Sequence, residues 1–99
     1  MAPRTSRFFQ LISQWGTFGA GDGEFVAPVG VAVTSDGSVY VTDSGYVRIQ
    51  KFTSEGVFVS TWGEDAAGDG QFGYLGGIAV GSDGSVYVTD SGNKRIQKF

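Results

Sequence analysis

The chain has no cysteine, no histidine, only two prolines and a single methionine. Without cysteine it has neither disulfides nor thiolate ligands, and without histidine the usual zinc sites and imidazole acid–base chemistry are excluded. It also has no apolar run approaching the about 20 residues that span a bilayer. Residues 1–7 carry none of the apolar stretch typical of a signal peptide. The sequence therefore predicts no particular localisation.

Glycine and aromatic residues are plentiful, with 17 glycines and 14% aromatics in 99 residues. Glycines at fixed places between runs of valine, threonine and aromatic residues are typical of short strands joined by tight turns, so we predict one all-β unit. The net charge is −3. Because nucleic acids and anionic membranes attract basic surfaces, we expect neither as a partner.

One stretch of sequence occurs twice: residues 37–52 recur with few changes as residues 84–99. Trp15 likewise recurs as Trp62, and the spacing is 47 residues throughout, without insertion or deletion. A period of about 40–50 residues indicates propeller blades or helical arrays. Since no helical periodicity is present, we predict blades of a β-propeller.

Each repeat divides into four antiparallel strands. Asp36 and Gly37 lie between two strand-like runs, a strong hairpin signal because glycine adopts positive φ at little cost. The run containing Gly30 and Ala32 has small residues, as expected for an innermost strand covered on both faces. The predicted strands of the first repeat are residues 29–34, 39–42, 48–53 and 57–62. The second repeat has three strands up to Phe99. An earlier strand at residues 9–15 corresponds to the last strand of the first repeat and brings the total to eight.

The repeated text resembles the NHL repeat, a β-propeller blade. The resemblance rests on Asp-Gly-x-Val-Tyr-Val-Thr-Asp-Ser-Gly-Asn-x-Arg-Ile-Gln-x-Phe, which the second copy follows closely. The first copy has Tyr46 and Val47 in place of Asn93 and Lys94, and the second has Leu75 where the first has Pro28. The resemblance implies a propeller, commonly six-bladed, that binds proteins or RNA. A related lyase uses a zinc-bearing propeller, but the absence of histidine prevents that activity from being carried over.

The order of the strands predicts association between chains. We divide the chain into an N-terminal extension, residues 1–8, and two blade repeats, residues 9–99. Residues 9–15 form an outer strand, whereas the last blade, ending at Phe99, has only three strands. We expect a closed ring in which this strand completes a neighbouring chain's last blade. Six blades make a homotrimer, and the alternative is a homotetramer. A fragment of a longer propeller, or a chain built to test assembly, would show the same offset. The residues expected to pair between chains are Phe9, Leu11, Ser13, Trp15, Arg95, Gln97 and Phe99.

The turns after the second strand of each repeat carry the candidate site residues. Asp43 and Asp90 are candidates for a ring of cation ligands, and Arg48 and Arg95 for recognition of phosphate or carboxylate. We favour a structural interpretation, in which each aspartate accepts hydrogen bonds from its own turn and pairs with the nearby arginine. The possible loop-face binding residues are Asp43, Tyr46, Arg48, Asp90, Asn93, Lys94 and Arg95.

From sequence we predict a self-assembling β-propeller scaffold, a structural or binding module with no catalytic activity, no metal and no cofactor. The alternative is a propeller that binds a peptide, glycan or RNA on its loop face. A third hypothesis, a metal-dependent hydrolase or lyase, is the least favoured because the chain lacks a histidine base and a cysteine nucleophile.

Overall fold

A computed structural model describes residues 10–63 and 73–99, so the predictions for residues 1–8 and Phe9 lie outside the described residues. The described part contains seven strands in two antiparallel sheets, with orders β1-β2-β3-β4 and β5-β6-β7. The predicted all-β class, with antiparallel strands in two sheets, is confirmed. The prediction of a strand at residues 9–15 is not borne out for its described part: residues 10–15 form no strand, because none of the described strands pairs with them. The strands are β1 (Pro28–Val33), β2 (Val39–Asp43), β3 (Arg48–Phe52), β4 (Phe58–Trp62), β5 (Leu75–Val80), β6 (Val86–Asp90) and β7 (Arg95–Lys98).

The hairpins at the start of each sheet are built as the Asp-Gly pairs predict. Gly37 and Gly84 have φ of 89° and 85°, in the left-handed region that glycine enters without steric cost. The carboxylate of Asp36 accepts hydrogen bonds from the Ser38 amide at 3.0 Å and from the Thr34 hydroxyl. These local bonds fix the turn and thereby the register in which Val33 pairs with Val39.

The two sheets, which we call the first and the second blade, pack against each other. β1 lies beside β5, and a Cβ added to Gly30 would stand only 3.2 Å from Cγ2 of Ile78 in the other blade. The small residues predicted for the innermost strand thus permit a close approach. Within the described residues, no helix has the length and apolar character needed to cross a membrane.

Two apolar clusters lie on opposite faces of the first blade. The cluster between the blades joins Ile49 of the first to Leu75, Val86 and Val88 of the second. Complete burial of such a side chain contributes about 1.5–3 kcal/mol relative to exposure, so this cluster holds the blades together. The other cluster contains Val39, Val41 and Phe52, with Phe25 and Phe58 packed against it.

Candidate functional site

Each blade has two faces, because successive side chains of a strand point to opposite sides of the sheet. We call the side of Tyr40, Thr42 and Ile49 the front face of the first blade, and the side of Val31, Val39 and Val41 its back face. Within the chain, the front face of the first blade packs on the back face of the second, where Leu75 and the other apolar side chains are buried.

The front face of the second blade is open although it carries the same residues as the first. Ile49 is fully buried, but its equivalent Ile96 is 69% exposed. Thr42 is also fully buried, whereas Thr89 is exposed and Tyr87 is 38% exposed. Together with Ala79, these side chains line a shallow apolar depression. A surface that is buried in one repeat is therefore displayed in the other.

The back face of the first blade is open along its inner strand, β1. Val31 and Val33 are 62% and 60% exposed. An apolar groove crosses this face, lined by Trp15, Phe25, Pro28, Val31, Val39 and Val41 among others. Val39 and Val41 are buried at the bottom of this groove, with Phe25 packed against them, so only the inner-strand part of the face is open. The equivalents of Val31 and Val33 in the second blade, Ile78 and Val80, are half-buried against the first blade. The chain thus displays both halves of an interface that it also forms internally.

A polar contact accompanies the apolar one between the blades. The hydroxyl of Thr42 accepts a hydrogen bond from the Gly30 amide at 2.9 Å and donates to the Gly76 carbonyl of the second blade at 3.2 Å. The hydroxyl of Thr89 repeats the first bond, accepting from the Gly77 amide at 2.7 Å. The interface between blades is therefore specified by a directional bond as well as by apolar area.

Trp15 and Trp62 occupy equivalent places relative to the two blades. The Trp62 ring lies 5.5 Å from Phe99 at an interplanar angle of 61°, and Trp15 lies 5.8 Å from Phe52 at 51°. Trp62 lies in β4, the outer strand of the first blade, and contacts Phe99 of the second blade. By equivalence Trp15, which contacts Phe52 of the first blade, lies where the outer strand of a preceding blade would lie. Residues 10–14, which lead to Trp15, are exposed.

Asp43 and Arg48 fasten the loop that precedes the first blade, an arrangement we call the loop latch. The buried Asp43 carboxylate accepts from the amides of Val26 at 3.0 Å and Ala27 at 2.8 Å. Arg48, 6% exposed, donates to Asp43 at 3.3 Å and to the carbonyl of Glu24 at 2.6 Å. The structural pairing favoured from the sequence is present, but the amides come from the incoming loop and not from the turn of Asp43 itself.

The second blade has its own loop latch with one additional member. Asp90 accepts from the Gly73 and Tyr74 amides at 2.9 and 3.3 Å and from Arg95 Nε at 3.0 Å. Asn93 also donates to Asp90, through its side chain at 3.0 Å and its backbone amide at 3.3 Å, so the predicted bond from the aspartate's own turn is present in this blade. Burial raises the pKa of Asp90, but these hydrogen bonds outweigh it and hold that pKa well below its usual range.

Tyr46 stands where the second repeat has Asn93 and makes a different contact. The Arg48 guanidinium lies 5.0 Å from the centre of the Tyr46 ring, in cation–π geometry. The ring is nevertheless 57% exposed on the loop side of the blade. The next residues, Val47 and Lys94, have left-handed φ of 52° and 54°, and Val47 also packs against the cluster between the blades.

Gln50 belongs to the loop latch although the sequence analysis did not single it out. It is fully buried, accepts from the Gly23 amide at 2.8 Å and donates to the Glu24 carbonyl at 2.6 Å. Its recurrence as Gln97 was the available signal, because alternation along the strand places it on the same face as the apolar Phe52, and a buried polar side chain is normally hydrogen-bonded.

Comparison with known proteins gives the family. The NHL repeat model matches residues 25–52 and 72–99, more than half of the chain. The chain belongs to the NHL repeat family. A relative, the B-box type zinc finger protein ncl-1 of Caenorhabditis elegans, is 44% identical over 45 residues. This match covers 46% of the chain but 5% of the relative, so the chain corresponds to a small part of that protein. Membership of the family suggests a β-propeller-like protein-binding module.

No group of three or more acidic side chains within residues 10–63 and 73–99 is arranged to hold a metal ion. The two aspartates considered as cation ligands, Asp43 and Asp90, are both engaged in loop latches. Lys94 is exposed at the surface of the second loop latch. A binding role for the loop face, and pairing between chains through Leu11, Ser13 or Gln97, remain predictions.

Proposed function

We propose that this NHL repeat chain is a self-assembling propeller module whose protein partner is another copy of itself. The observation that carries the proposal is the pair of open faces, the front of the second blade and the back of the first. The front-face residues are identical in the two blades: Tyr40 and Tyr87, Thr42 and Thr89, Ile49 and Ile96. The proposed role is structural, without catalytic chemistry.

The back faces match almost as well. Val39 and Val41 have identical equivalents in Val86 and Val88, and Val31 corresponds to Ile78. The first blade of a second copy therefore offers the front face of the second blade an apolar surface similar to the one that Ile49 meets within the chain. In this docking the Thr89 hydroxyl would donate to the Val29 carbonyl of the second copy, as Thr42 donates to Gly76.

Such a contact joins two different surfaces, so each added copy leaves one front and one back face open until the ring closes by rotation. Six blades, the number expected from the family resemblance, give a homotrimer, and eight give a homotetramer. Burying Ile96 would add about 1–2 kcal/mol per contact at the usual value for apolar area. Repetition around a ring multiplies that gain.

A second candidate function is binding of a peptide, glycan or RNA on the loop face. The observation in its favour is a pair of exposed tyrosines beside the loop latches, Tyr46 at 57% and Tyr74 at 58%. Aromatic side chains of this kind are enriched in binding surfaces. This function is compatible with assembly, because the loops lie at the ends of the strands and the proposed contact uses the blade faces.

Light scattering or native mass spectrometry tests the assembly. We expect three times the chain mass of 10.4 kDa, with four times that mass as the alternative. Ile96→Glu should convert the assembly to single chains, because the charge would have to be buried without a partner. The matched control is Val57→Glu, since Val57 is similarly exposed at 61% but lies outside both open faces. A wild-type mass of 10.4 kDa at micromolar concentration would overturn the proposal.

A further inference from the structure

We infer that the copies also exchange a strand: residues 10–15 of one copy add to the free edge of β7 in its neighbour, with Trp15 opposite Ile96, Gln14 opposite Gln97 and Ser13 opposite Lys98. This inference rests on the proposed head-to-tail assembly and specifies its closure. Among the described strands, β7 lies at the outer edge of the second blade, whereas β4 covers the corresponding edge of the first blade.

The register follows from the complete blade. There, Ile49 pairs with Trp62, Gln50 with Thr61 and Lys51 with Ser60. Moving the β3 residues forward by one 47-residue repeat, and the β4 residues back by one, gives the three inter-chain pairs. The outer-strand sequences correspond: Val-Phe-Val-Ser-Thr-Trp at residues 57–62 and Gln-Leu-Ile-Ser-Gln-Trp at residues 10–15.

Trp15 is already in the position that the exchange requires. It packs on Phe52 of the first blade as Trp62 packs on Phe99 of the second. In the proposed contact, the front of a neighbour's second blade docks on the back of the first blade. This docking places the neighbour's β7 beside residues 10–15. One relative placement of the two copies therefore both docks the faces and pairs the strands.

The exchange also explains why two apolar side chains, Leu11 and Phe99, are exposed in the single chain. Leu11 is 75% exposed and Phe99 is 41% exposed. In the complete blade the equivalent of Leu11, Phe58, lies 6.1 Å from Phe52, which is only 1% exposed. By this equivalence Leu11 covers Phe99 of the neighbour, while Ile12 remains outside like its equivalent Val59, which is 49% exposed in the complete blade.

Closure within one chain is blocked by its own first blade. Trp15 holds residues 10–15 on the back of this blade, where it contacts Phe52. The second blade, which contains β7, packs on the front. A sheet thus separates residues 10–15 from the edge of β7 in the same chain, and in the proposed exchange a second copy brings the two together.

Cysteine pairs test the register in a chain that has no cysteine of its own. Under mild oxidation, Ser13→Cys with Lys98→Cys should link neighbouring chains at least about tenfold faster than Ser13→Cys with Gln97→Cys. The first pair is opposed on one face of the sheet, whereas the second is one residue out of register and points to opposite faces. The products are read on a denaturing, non-reducing gel.

A second measurement compares two adjacent residues. Leu11→Asp should weaken assembly at least about tenfold, because it places a charge against Phe99, while Ile12→Asp should leave assembly unchanged. Equal linking of both cysteine pairs, or equal effects of the two aspartates, in a protein that still assembles would overturn the strand exchange and leave the face docking intact. A wild-type protein that stays a single chain would overturn both.

Discussion

The two loop latches allow one substitution to be compared at two sites of the same chain. Asp43 and Asp90 occupy equivalent positions and are both fully buried, but their arginine partners differ. The side chain of Arg48 is 7% exposed and that of Arg95 is 29% exposed. We therefore predict that Asp43→Ala lowers the free energy of unfolding more than Asp90→Ala does.

The magnitude follows from the groups that lose the carboxylate. Asp43→Ala leaves the buried Arg48 charge with carbonyl acceptors but no counter-charge from Asp43, and it removes the acceptor of the Val26 and Ala27 amides. Removing one member of a buried ion pair costs about 3–5 kcal/mol, out of about 5–15 kcal/mol for a whole domain. At Asp90 water takes over part of the solvation of Arg95, so we expect about 2 kcal/mol.

Urea unfolding followed by tryptophan fluorescence measures both variants. With a slope of about 1–2 kcal/mol per molar, Asp43→Ala should lower the midpoint by about 2–3 M and Asp90→Ala by about 1 M. Repeating the measurement over a tenfold range of protein concentration removes the contribution of association. Asp43→Asn, which keeps one acceptor oxygen, should fall between wild type and Asp43→Ala. Equal losses at the two sites, or a loss below about 1 kcal/mol at Asp43, would refute the reasoning.

Two further predictions concern acid stability and the glycines of the inner strands. Hydrogen bonds from the Thr34 hydroxyl and the Ser38 amide lower the pKa of Asp36 to about 2, and the Ser85 amide is the main cause of the lowered pKa of Asp83. The folded-state pKa values of Asp36, Asp83 and Asp90 lie below their unfolded-state values. These carboxylates therefore contribute their full stability above about pH 5, and this contribution is lost as the pH falls through the folded-state pKa values. The urea midpoint should therefore fall steadily below about pH 4, and an NMR titration of Asp36 should give a midpoint near 2; a flat stability profile down to pH 2 would contradict this. Gly30→Val should destabilise the single chain, because a Cβ there would lie 3.2 Å from both Ile78 Cγ2 and Thr42 Oγ1. Gly77→Val should leave the fold intact, since the nearest atom is Thr89 Oγ1 at 3.8 Å, but should weaken association; unfolding and light scattering distinguish the two effects.

Sequence reasoning succeeded where structure is determined by neighbours along the chain. The Asp36 and Gly37 pair specifies its turn through bonds to residues within four positions, so the hairpin and its strands followed from local chemistry. The 47-residue period then predicted two similar blades. These features require no knowledge of what packs on the faces of the sheets.

The loop latches were predicted only in part, because their partners are distant in sequence. Asp43 was assigned to its own turn, whereas it binds amides 16 and 17 residues earlier. Arg48 reaches the Ala20 carbonyl, 28 residues away. Side-chain bonds of this length depend on how the incoming loop crosses the sheet, which neither periodicity nor residue type determines.

The difference in burial between equivalent residues of the two repeats could not be predicted from the sequence, and it bears most directly on function. Ile49 and Ile96 are the same residue in the same local sequence, yet one is fully buried and the other 69% exposed. Local preference is therefore equal, and the whole difference comes from the neighbouring blade. Our proposal of a closed ring also draws on the first blade: its inner strand β1 contains Gly30 and Ala32, whereas its outer strand β4 contains Phe58 and Trp62, a pattern that narrows a sheet towards the inner strand. Wedges stacked through one repeated contact turn about their thin edge, and this favours a ring.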